Sequence, residues 1–246
     1  MNYKSMQRIK TAVIMAAGLG TRFGRQTEKI PKGFIEVGGK PMVVRSVETL
    51  LECGMDRILI GTGYKKEAYE ALMERYSQIE CVFSPRYAET NSMYTLYNMR
   101  EVIGADDFIL LESDLVYESR AITSLLDCGY ASAMLITPVT KFQDQYYVQK
   151  DAEDVLVDCS TDKNAIHADG ELVGIHKIGN AFFRQMCKDY GMKVEEQPKL
   201  GYEYELLHVS RSIAPMNVLK VDGLLWYEID DRADLEYAEK QIIGGL

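Results

Sequence analysis

Short apolar runs alternate with amphipathic stretches along the first half of the chain. The runs are rich in β-branched residues and leucine, which is typical of buried strands, and they lie at 12–15, 57–63, 80–83, 107–112 and 131–138. The stretches between them carry apolar residues at helical spacing and predict helices at 42–53, 64–76 and 119–128 and a helix that ends at Ile103. This alternation predicts an α/β fold with a Rossmann-like, doubly wound mixed sheet that is mostly parallel.

The pattern changes after residue 138. Segments 144–148, 155–157 and 172–178 predict antiparallel strands separated by polar turns. We expect residues 1–246 to form a single domain, in which residues from about 139 to 225 form a smaller lobe over the sheet.

The first predicted strand runs into a loop of small residues. Such residues let a ligand lie on the backbone and reach its N–H groups, and they are Ala16, Ala17, Gly18 and Gly20. Arg22 and Lys32 bring two cations to the same loop, which suits phosphate oxygens. The dinucleotide-binding fingerprint does not fit, because its third glycine would fall at Phe23. Taken alone, the glycines also fit an ordinary strand–turn–helix.

Carboxylates follow two of the apolar runs. Glu112 and Asp114 end the run at 107–112 and, two residues apart on a strand, point to the same side. They would repel each other unless a cation shared the site, and Mg²⁺ prefers carboxylate and phosphate oxygens. Asp230 and Asp231 follow an apolar run at 224–229, although Asp231 can instead cap a helix at 232–242.

Composition narrows the choice of function. The formal charge of −9 argues against a general nucleic-acid binder, whose surface would be basic. No apolar run approaches the roughly 20 residues of a membrane span, and the polar N-terminus lacks the apolar core of a signal peptide. We therefore expect a cytoplasmic protein that neither binds nucleic acid nor inserts into a membrane. The C-terminal Gly244-Gly245-Leu246 would also suit a junction with a further C-terminal domain.

The segment 11–41 resembles a known family. Ala-Ala-Gly-x-Gly-Thr-Arg, a polar loop, Pro31-Lys32 and then Gly38-Gly39-Lys40-Pro41 resemble the signature of the sugar-nucleotide and alcohol-phosphate nucleotidyltransferases. The resemblance implies a nucleotidyltransferase fold whose loop wraps the triphosphate of an NTP, with Mg²⁺ as cofactor and a lobe for the second substrate. It implies metal ligands at Asp114 and Asp230. It also implies catalytic roles for Arg22, Lys32 and, in a supporting position, Lys177.

A polar turn before the helix ending at Ile103 extends the resemblance. Thr90 and Asn91 can cap that helix, and the sequence after them resembles the choline-phosphate cytidylyltransferase branch, in which this turn helps to hold the nucleotide. The residues that we expect to bind the nucleotide, CTP, are Ala16, Ala17, Gly18, Gly20, Thr21, Thr90, Asn91 and Glu112.

Carboxylates and aromatic rings are interleaved in the predicted lobe and after it. Such groups suit a cationic amine, because carboxylates accept its hydrogen bonds and rings attract its charge. The residues that we expect to bind the acceptor are Asp144, Tyr146, Glu203, Tyr204, Glu205 and Glu228. Trp226 and Tyr227 would add rings if the amine were quaternary.

These features predict a Mg²⁺-dependent cytidylyltransferase with an amine-bearing phosphonate or phosphate as acceptor. The abundance of acids and the resemblance to 2-aminoethylphosphonate cytidylyltransferases favour 2-aminoethylphosphonate, and phosphocholine is the first alternative. A sugar-1-phosphate nucleotidyltransferase is the second alternative. A regulatory module that only binds an NTP is the alternative without chemistry.

Overall fold

A computed structural model describes residues 9–140 and 145–246 of the chain. Within these ranges the strands are β1 (Thr11–Ala16), β2 (Glu36–Val37), β3 (Lys40–Pro41), β4 (Arg57–Thr62), β5 (Ile79–Phe83), β6 (Phe108–Glu112), β7 (Leu115–Tyr117), β8 (Ala133–Thr137), β9 (Tyr147–Lys150), β10 (Leu156–Ser160), β11 (Gly170–Ile178), β12 (Asn217–Lys220) and β13 (Trp226–Glu228). The helices are α1 (Met42–Glu52), α2 (Lys66–Glu70), α3 (Ser92–Asn98), α4 (Arg100–Ile103), α5 (Arg120–Asp127), α6 (Asn180–Lys193), α7 (Tyr202–Ser212) and α8 (Arg232–Gln241). Short 3₁₀ turns cover Thr21–Gln26, Lys32–Phe34, Ala71–Glu74 and Ile243–Gly245.

The largest sheet has a parallel centre and an antiparallel flank. Strand β1 pairs in parallel with β4 on one side and β6 on the other, and β4 pairs in parallel with β5. Strand β11 then joins β6 in antiparallel orientation, and it also pairs with β8 and β9. The predicted fold class, a mixed α/β fold around a mostly parallel central sheet, is confirmed.

Both faces of this sheet are covered, so its central strands are apolar on both sides. Ile14 and Ile60 face a core that includes buried residues of α1 and α5. Val13 and Leu59 face the opposite core, which includes residues of α3, α6 and α7. Burial on both faces explains why these strands read as unbroken apolar runs rather than as alternating patterns.

The structure differs from the predicted elements in a few places. The helix predicted at 64–76 is a short α2 followed by a 3₁₀ turn, and the helix that ends at Ile103 is interrupted at Met99. Strands β7 and β12 and helix α6 carry no prediction. The lobe at about 139–225 stays a prediction, and strand β11 from that segment lies in the main sheet beside β6.

The ribbon of β7 and β13 positions the acidic groups. Leu115 pairs with Glu228 in antiparallel register, and the N–H of Ile229 donates to the carbonyl of Asp114 at 3.0 Å. The C-terminal strand β13 is thereby fixed beside the carboxyl end of β6. In the two described ranges, the helices are too short or too polar to cross a membrane.

Candidate active site

The loop after β1 is shaped by close backbone approaches. Gly63, after β4, lies so near the loop that a Cβ atom there would be 2.6 Å from the carbonyl oxygen of Ala17. Gly20 has a φ of +63°, which favours glycine, and the Oγ1 of Thr27 donates to its carbonyl at 2.9 Å. These contacts hold the small residues of the loop against the carboxyl ends of β1 and β4.

Lys32 lies between two carboxylates. Its Nζ is 2.5 Å from Oδ2 of Asp114 and 2.6 Å from Oδ1 of Asp230. Burial opposes the charge on Lys32, but the charges of Asp114 and Asp230 outweigh burial and raise the pKa of the ammonium above its ordinary value. Lys32 is therefore charged at neutral pH, and it joins the end of β6 to the end of β13.

Arg22 adds a second cation to this group. Its guanidinium lies 2.8 Å from the same Oδ1 of Asp230, while its side chain is 58% exposed. Arg22 stands in the 3₁₀ turn Thr21–Gln26, which follows the glycine loop. The guanidinium can therefore contact an anion without losing its place beside Asp230.

Further carboxylates face the Lys32 group. One oxygen each of Glu112, Asp114 and Glu228 lie within 4.8 Å of one another, a spacing that could hold a cation. Oδ1 of Asp114 is buried and has no hydrogen-bond partner among the described residues, so this oxygen is available to a ligand. Together with Asp230 and Glu203, these side chains place five carboxylates around two cations.

The excess of acids changes how they titrate. Burial, and then the charges of Asp114, Glu228 and Glu203, raise the pKa of Glu112 well above its ordinary value. Burial also raises the pKa of Glu203 to about 7, and Glu112 and Glu203 are hydrogen-bonded to each other. Burial therefore disfavours the charged forms of both Glu112 and Glu203.

Two cavities meet at these acids. The larger, of about 290 Å³, is lined by the glycine loop, Lys32, Asp114 and the turn at 90–92. The smaller, of about 140 Å³, is lined by Arg22, Gln145, Glu228 and Asp230, with an apolar wall from Leu115, Leu172 and Val173. Glu112, Tyr146 and Glu203 line both cavities, so the two spaces share a wall of acids and one ring.

Most predicted nucleotide residues lie in the larger cavity. They are Ala16, Ala17, Gly18, Gly20, Thr90, Asn91 and Glu112, whereas Thr21 is exposed outside its lining. Asn91 caps α3 by accepting from the N–H of Ser92 at 2.8 Å. Asp231 likewise caps α8, accepting from the N–H groups of Ala233 and Asp234, so the capping alternative holds for it.

Lys177 does not join the site. It pairs with Ile109 in the β11–β6 register, toward the end of the sheet opposite Glu112, and its Nζ donates to the carbonyl of Cys128 at 3.0 Å. The predicted supporting role near the reacting phosphates conflicts with this position. The strand motif placed the residue in β11 but could not show which end of the antiparallel strand faces the ligands.

The three predicted acceptor residues on α7 point in different directions. Glu203 lines both cavities, but Glu205 is buried on another face and contacts Nζ of Lys193 at 2.9 Å. The expectation that Glu205 binds the acceptor is wrong in position, because residues two apart on a helix do not face the same way. Tyr204 is exposed and contacts the ring of Tyr146 edge-on, at 5.7 Å. Asp144 lies outside the described residues.

The sequence did not single out several residues that line the cavities. Tyr202 opens α7, lines the larger cavity and donates its hydroxyl proton to Oε1 of Glu112 at 2.7 Å. Gln145 donates to Oε2 of Glu228 at 3.3 Å. Tyr202 precedes Glu203 in the first turn of α7, but the alternation of Tyr and Glu in the sequence does not distinguish Tyr202 from Tyr204. No pattern in the sequence indicates Gln145.

Comparison with known proteins places the chain in a family. The family model of the MobA-like NTP transferase domain matches residues 12–188. A choline-phosphate cytidylyltransferase of Streptococcus pneumoniae is 34% identical over 156 residues, covering 60% of this chain and 63% of that protein. A 2-aminoethylphosphonate cytidylyltransferase of Lancefieldella rimae is 37% identical over 111 residues, covering 45% of each. A CMP-5'-(3-aminopropyl)phosphonate synthase of Streptomyces rubellomurinus is 28% identical over 240 residues, covering 93% of this chain but 38% of that protein.

Solved structures agree on the fold. The CTP:phosphocholine cytidylyltransferase of Streptococcus pneumoniae superposes with a TM-score of 0.80 at 24% identity, covering 95% of this chain and 99% of that one. The inositol-1-phosphate CTP transferase of T. maritima gives 0.81 at 16% identity, covering 98% of each. The matched segments span between about a third and two thirds of the three relatives' lengths. On the family model and the shared fold, the chain belongs to the MobA-like NTP transferase domain family.

Proposed function

We propose that the protein is a Mg²⁺-dependent cytidylyltransferase that transfers CMP from CTP to 2-aminoethylphosphonate and releases pyrophosphate. One observation carries the proposal. The Lys32–Asp114–Asp230 group stands where a cavity bordered by a glycine loop meets a small cavity lined by acids. Relatives named as cytidylyltransferases for phosphocholine and for aminophosphonates support this choice of substrates.

The larger cavity would hold CTP. Its loop offers backbone atoms without bulky side chains, which suits phosphate oxygens, and Lys32 supplies a fixed positive charge beside it. Thr90 and Asn91, which are distant from the glycine loop in the sequence, line the same cavity. The preference for cytosine rests on the named relatives.

The donor set fits a divalent cation. Asp114 keeps one buried oxygen without a hydrogen-bond partner among the described residues, and hard carboxylate oxygens are what Mg²⁺ prefers. Asp114 and Asp230 would hold the ion beside the nucleotide phosphates, where its charge would offset theirs. In the described ranges, Glu112, Asp114 and Glu228 form a group of three carboxylates whose oxygens lie close enough to share a cation, so a second position for the ion includes Asp114 as well.

The smaller cavity would hold the acceptor. Arg22 lies at this cavity and can bind a phosphonate, while Glu112, Glu203 and Glu228 supply acceptors for an ammonium group. A primary ammonium donates three hydrogen bonds and is suited to such an acid-rich wall.

A cage for a quaternary amine has less support. Trp226 is buried and donates to Oγ1 of Thr137, and the ring of Tyr227 packs against that of Tyr237. Among the rings considered for a cage, Tyr146 lines the two cavities and Tyr204 contacts it from outside. Because a cage needs several rings and Tyr146 alone of these lines the cavities, the arrangement favours 2-aminoethylphosphonate over phosphocholine.

The chemistry would depend on positioning and charge. A phosphonate oxyanion attacks the α-phosphorus of CTP in line with the leaving pyrophosphate, so the P–O bond to the acceptor forms as the bond to pyrophosphate breaks. An acceptor that is already an oxyanion needs no general base. Lys32 and Arg22 would neutralise charge on the phosphoryl oxygens as the acceptor approaches.

The first experiment measures pyrophosphate release from CTP with Mg²⁺ and either 2-aminoethylphosphonate or phosphocholine. We expect the phosphonate to give the larger kcat/KM and EDTA to abolish release. Preference for phosphocholine would contradict the choice of acceptor. Release only with a sugar 1-phosphate would contradict the acceptor class, and the absence of release with every acceptor would leave the protein as an NTP-binding module.

A further inference from the structure

A chain of buried polar groups lies behind the wall that the two cavities share. The hydroxyl of Tyr202 donates to Oε1 of Glu112 at 2.7 Å, and Nε2 of His176 lies 3.4 Å from the same hydroxyl. Tyr202 and His176 are fully buried, and their rings meet edge-on at 5.5 Å. The chain links β11, α7 and β6.

The chain has a fixed direction. A tyrosine hydroxyl has one proton, and here Glu112 accepts it, so Nε2 of His176 must be the donor toward the tyrosine oxygen. Nδ1 of His176 is then an unprotonated acceptor, and this atom has no hydrogen-bond partner among the described residues. Burial lowers the pKa of His176 to about 3, so its ring is neutral and carries one proton.

The direction of these hydrogen bonds matters for Glu112, because its carboxyl group has two oxygens and contacts both Tyr202 and Glu203. One oxygen accepts from Tyr202, and the carboxyl group is also hydrogen-bonded to Glu203, at the wall that the two cavities share. Tyr202 is itself held, since its backbone N–H donates to Oγ of Ser92 at 3.0 Å. Glu112 therefore has one orientation supported from behind by a side chain that is anchored at both ends.

We propose that Tyr202 is a positioning residue for amine recognition, because it turns one oxygen of Glu112 toward the ammonium group of the acceptor. This inference rests on the proposed function. A primary ammonium needs an oxygen aimed along an N–H bond, whereas a trimethylammonium group donates no hydrogen bond and responds mainly to charge. Loss of the tyrosine hydroxyl therefore weakens binding of the first kind of amine and spares the second.

The test compares Tyr202→Phe with Tyr190→Phe. Tyr190 is also fully buried, in the same core, and its hydroxyl has no hydrogen-bond partner among the described residues, so it controls for the loss of a buried hydroxyl. We expect Tyr202→Phe to raise the KM for 2-aminoethylphosphonate about tenfold. We expect changes below about twofold in the KM for the N-trimethyl analogue and in all constants of Tyr190→Phe.

A double-mutant cycle separates positioning from packing. If Tyr202 acts through Glu112, then Tyr202→Phe adds no further increase in the KM for the amine when Glu112→Gln is already present. Equal loss with both amines, no loss with either, or full additivity with Glu112→Gln would overturn the inference. If Tyr202→Phe does not melt as a folded protein, His176→Leu removes the donor behind the hydroxyl and must shift the same KM in the same direction.

The outcomes also separate the inference from the function on which it rests. A wild-type protein that releases no pyrophosphate with either amine refutes the proposed function, and the role of Tyr202 falls with it. An active wild type whose Tyr202→Phe variant loses no amine selectivity refutes the role of Tyr202 alone.

Discussion

The two cavities are built in different ways. The larger takes its glycine loop and Lys32 from a single stretch, residues 16–32, and Asp114 from beyond the end of the neighbouring parallel strand. The smaller is assembled from side chains at the ends of β6, β11 and β13, at the start of α7 and at Gln145. The loop and the cation of the larger cavity are therefore encoded in one local stretch, whereas the acids of the smaller cavity come together only through long-range packing.

Lys32→Met gives the largest expected effect, because Lys32 is the cation at the junction of both cavities. We expect kcat/KM to fall about 10²- to 10³-fold, as when a fixed donor to a reacting oxyanion is removed. Steady-state pyrophosphate release measures the loss, and circular dichroism checks the fold. Lys29→Met, on the exposed part of the same loop, is the matched control and should keep its activity. Comparable turnover in the two variants would contradict the role of Lys32.

The pH dependence of stability tests whether His176, which contacts Tyr202 behind the cavities, is buried as a neutral ring. His176 has an ordinary pKa of 6.5 when unfolded and a pKa of about 3 when folded, so the unfolded state binds more protons between these values. Stability is therefore lost as pH falls below about 6.5, and from pH 7.5 to 5 this residue alone contributes a loss of about 2 kcal/mol.

Urea unfolding at pH 7.5 and at pH 5 measures this loss of unfolding free energy. His176→Leu should show a smaller loss of unfolding free energy between pH 7.5 and 5 than the wild type, by about 2 kcal/mol. His208→Leu, which removes a more exposed histidine, should leave most of the loss in place. Identical pH dependence in the wild type and His176→Leu would show that His176 titrates normally in the folded protein.

Glu228→Gln and Asp230→Asn distinguish a metal site from an amine site. We expect Glu228→Gln to raise the KM for 2-aminoethylphosphonate about tenfold, because a charged hydrogen-bond acceptor is lost, and to leave the Mg²⁺ concentration for half-maximal activity unchanged. Asp230→Asn should instead raise the Mg²⁺ requirement. The reverse pattern would move the metal to the Glu112–Asp114–Glu228 cluster.

More of the residues expected to bind the nucleotide than of those expected to bind the acceptor line a cavity, and the reason is physical. The loop from Ala16 to Lys32 needs small residues and cations at fixed local spacing, so its pattern is visible without the fold. The alternation of Tyr and Glu grouped Glu205 with Glu203. On a helix, however, residues two apart face different ways, so Glu205 points away from the face of Glu203. Gln145 carries no local signal, since it meets Glu228 only after β13 has paired with β7.

Lys177→Met gives the smallest expected effect on activity. It tests whether the catalytic role that the family resemblance implied for Lys177 applies to this chain. The ammonium of Lys177 donates to the carbonyl of Cys128, toward the end of the sheet opposite the cavities, so its loss should leave kcat and both KM values within about twofold. The carbonyl of Cys128 loses a charged donor, so the free energy of unfolding should fall by about 1 to 3 kcal/mol. Steady-state kinetics and urea unfolding of the same preparation measure both quantities, with Lys32→Met as the contrasting variant. A tenfold or greater fall in kcat with unchanged stability would mean that Lys177 reaches the phosphates during turnover, and that β11 moves relative to β6 when substrates bind.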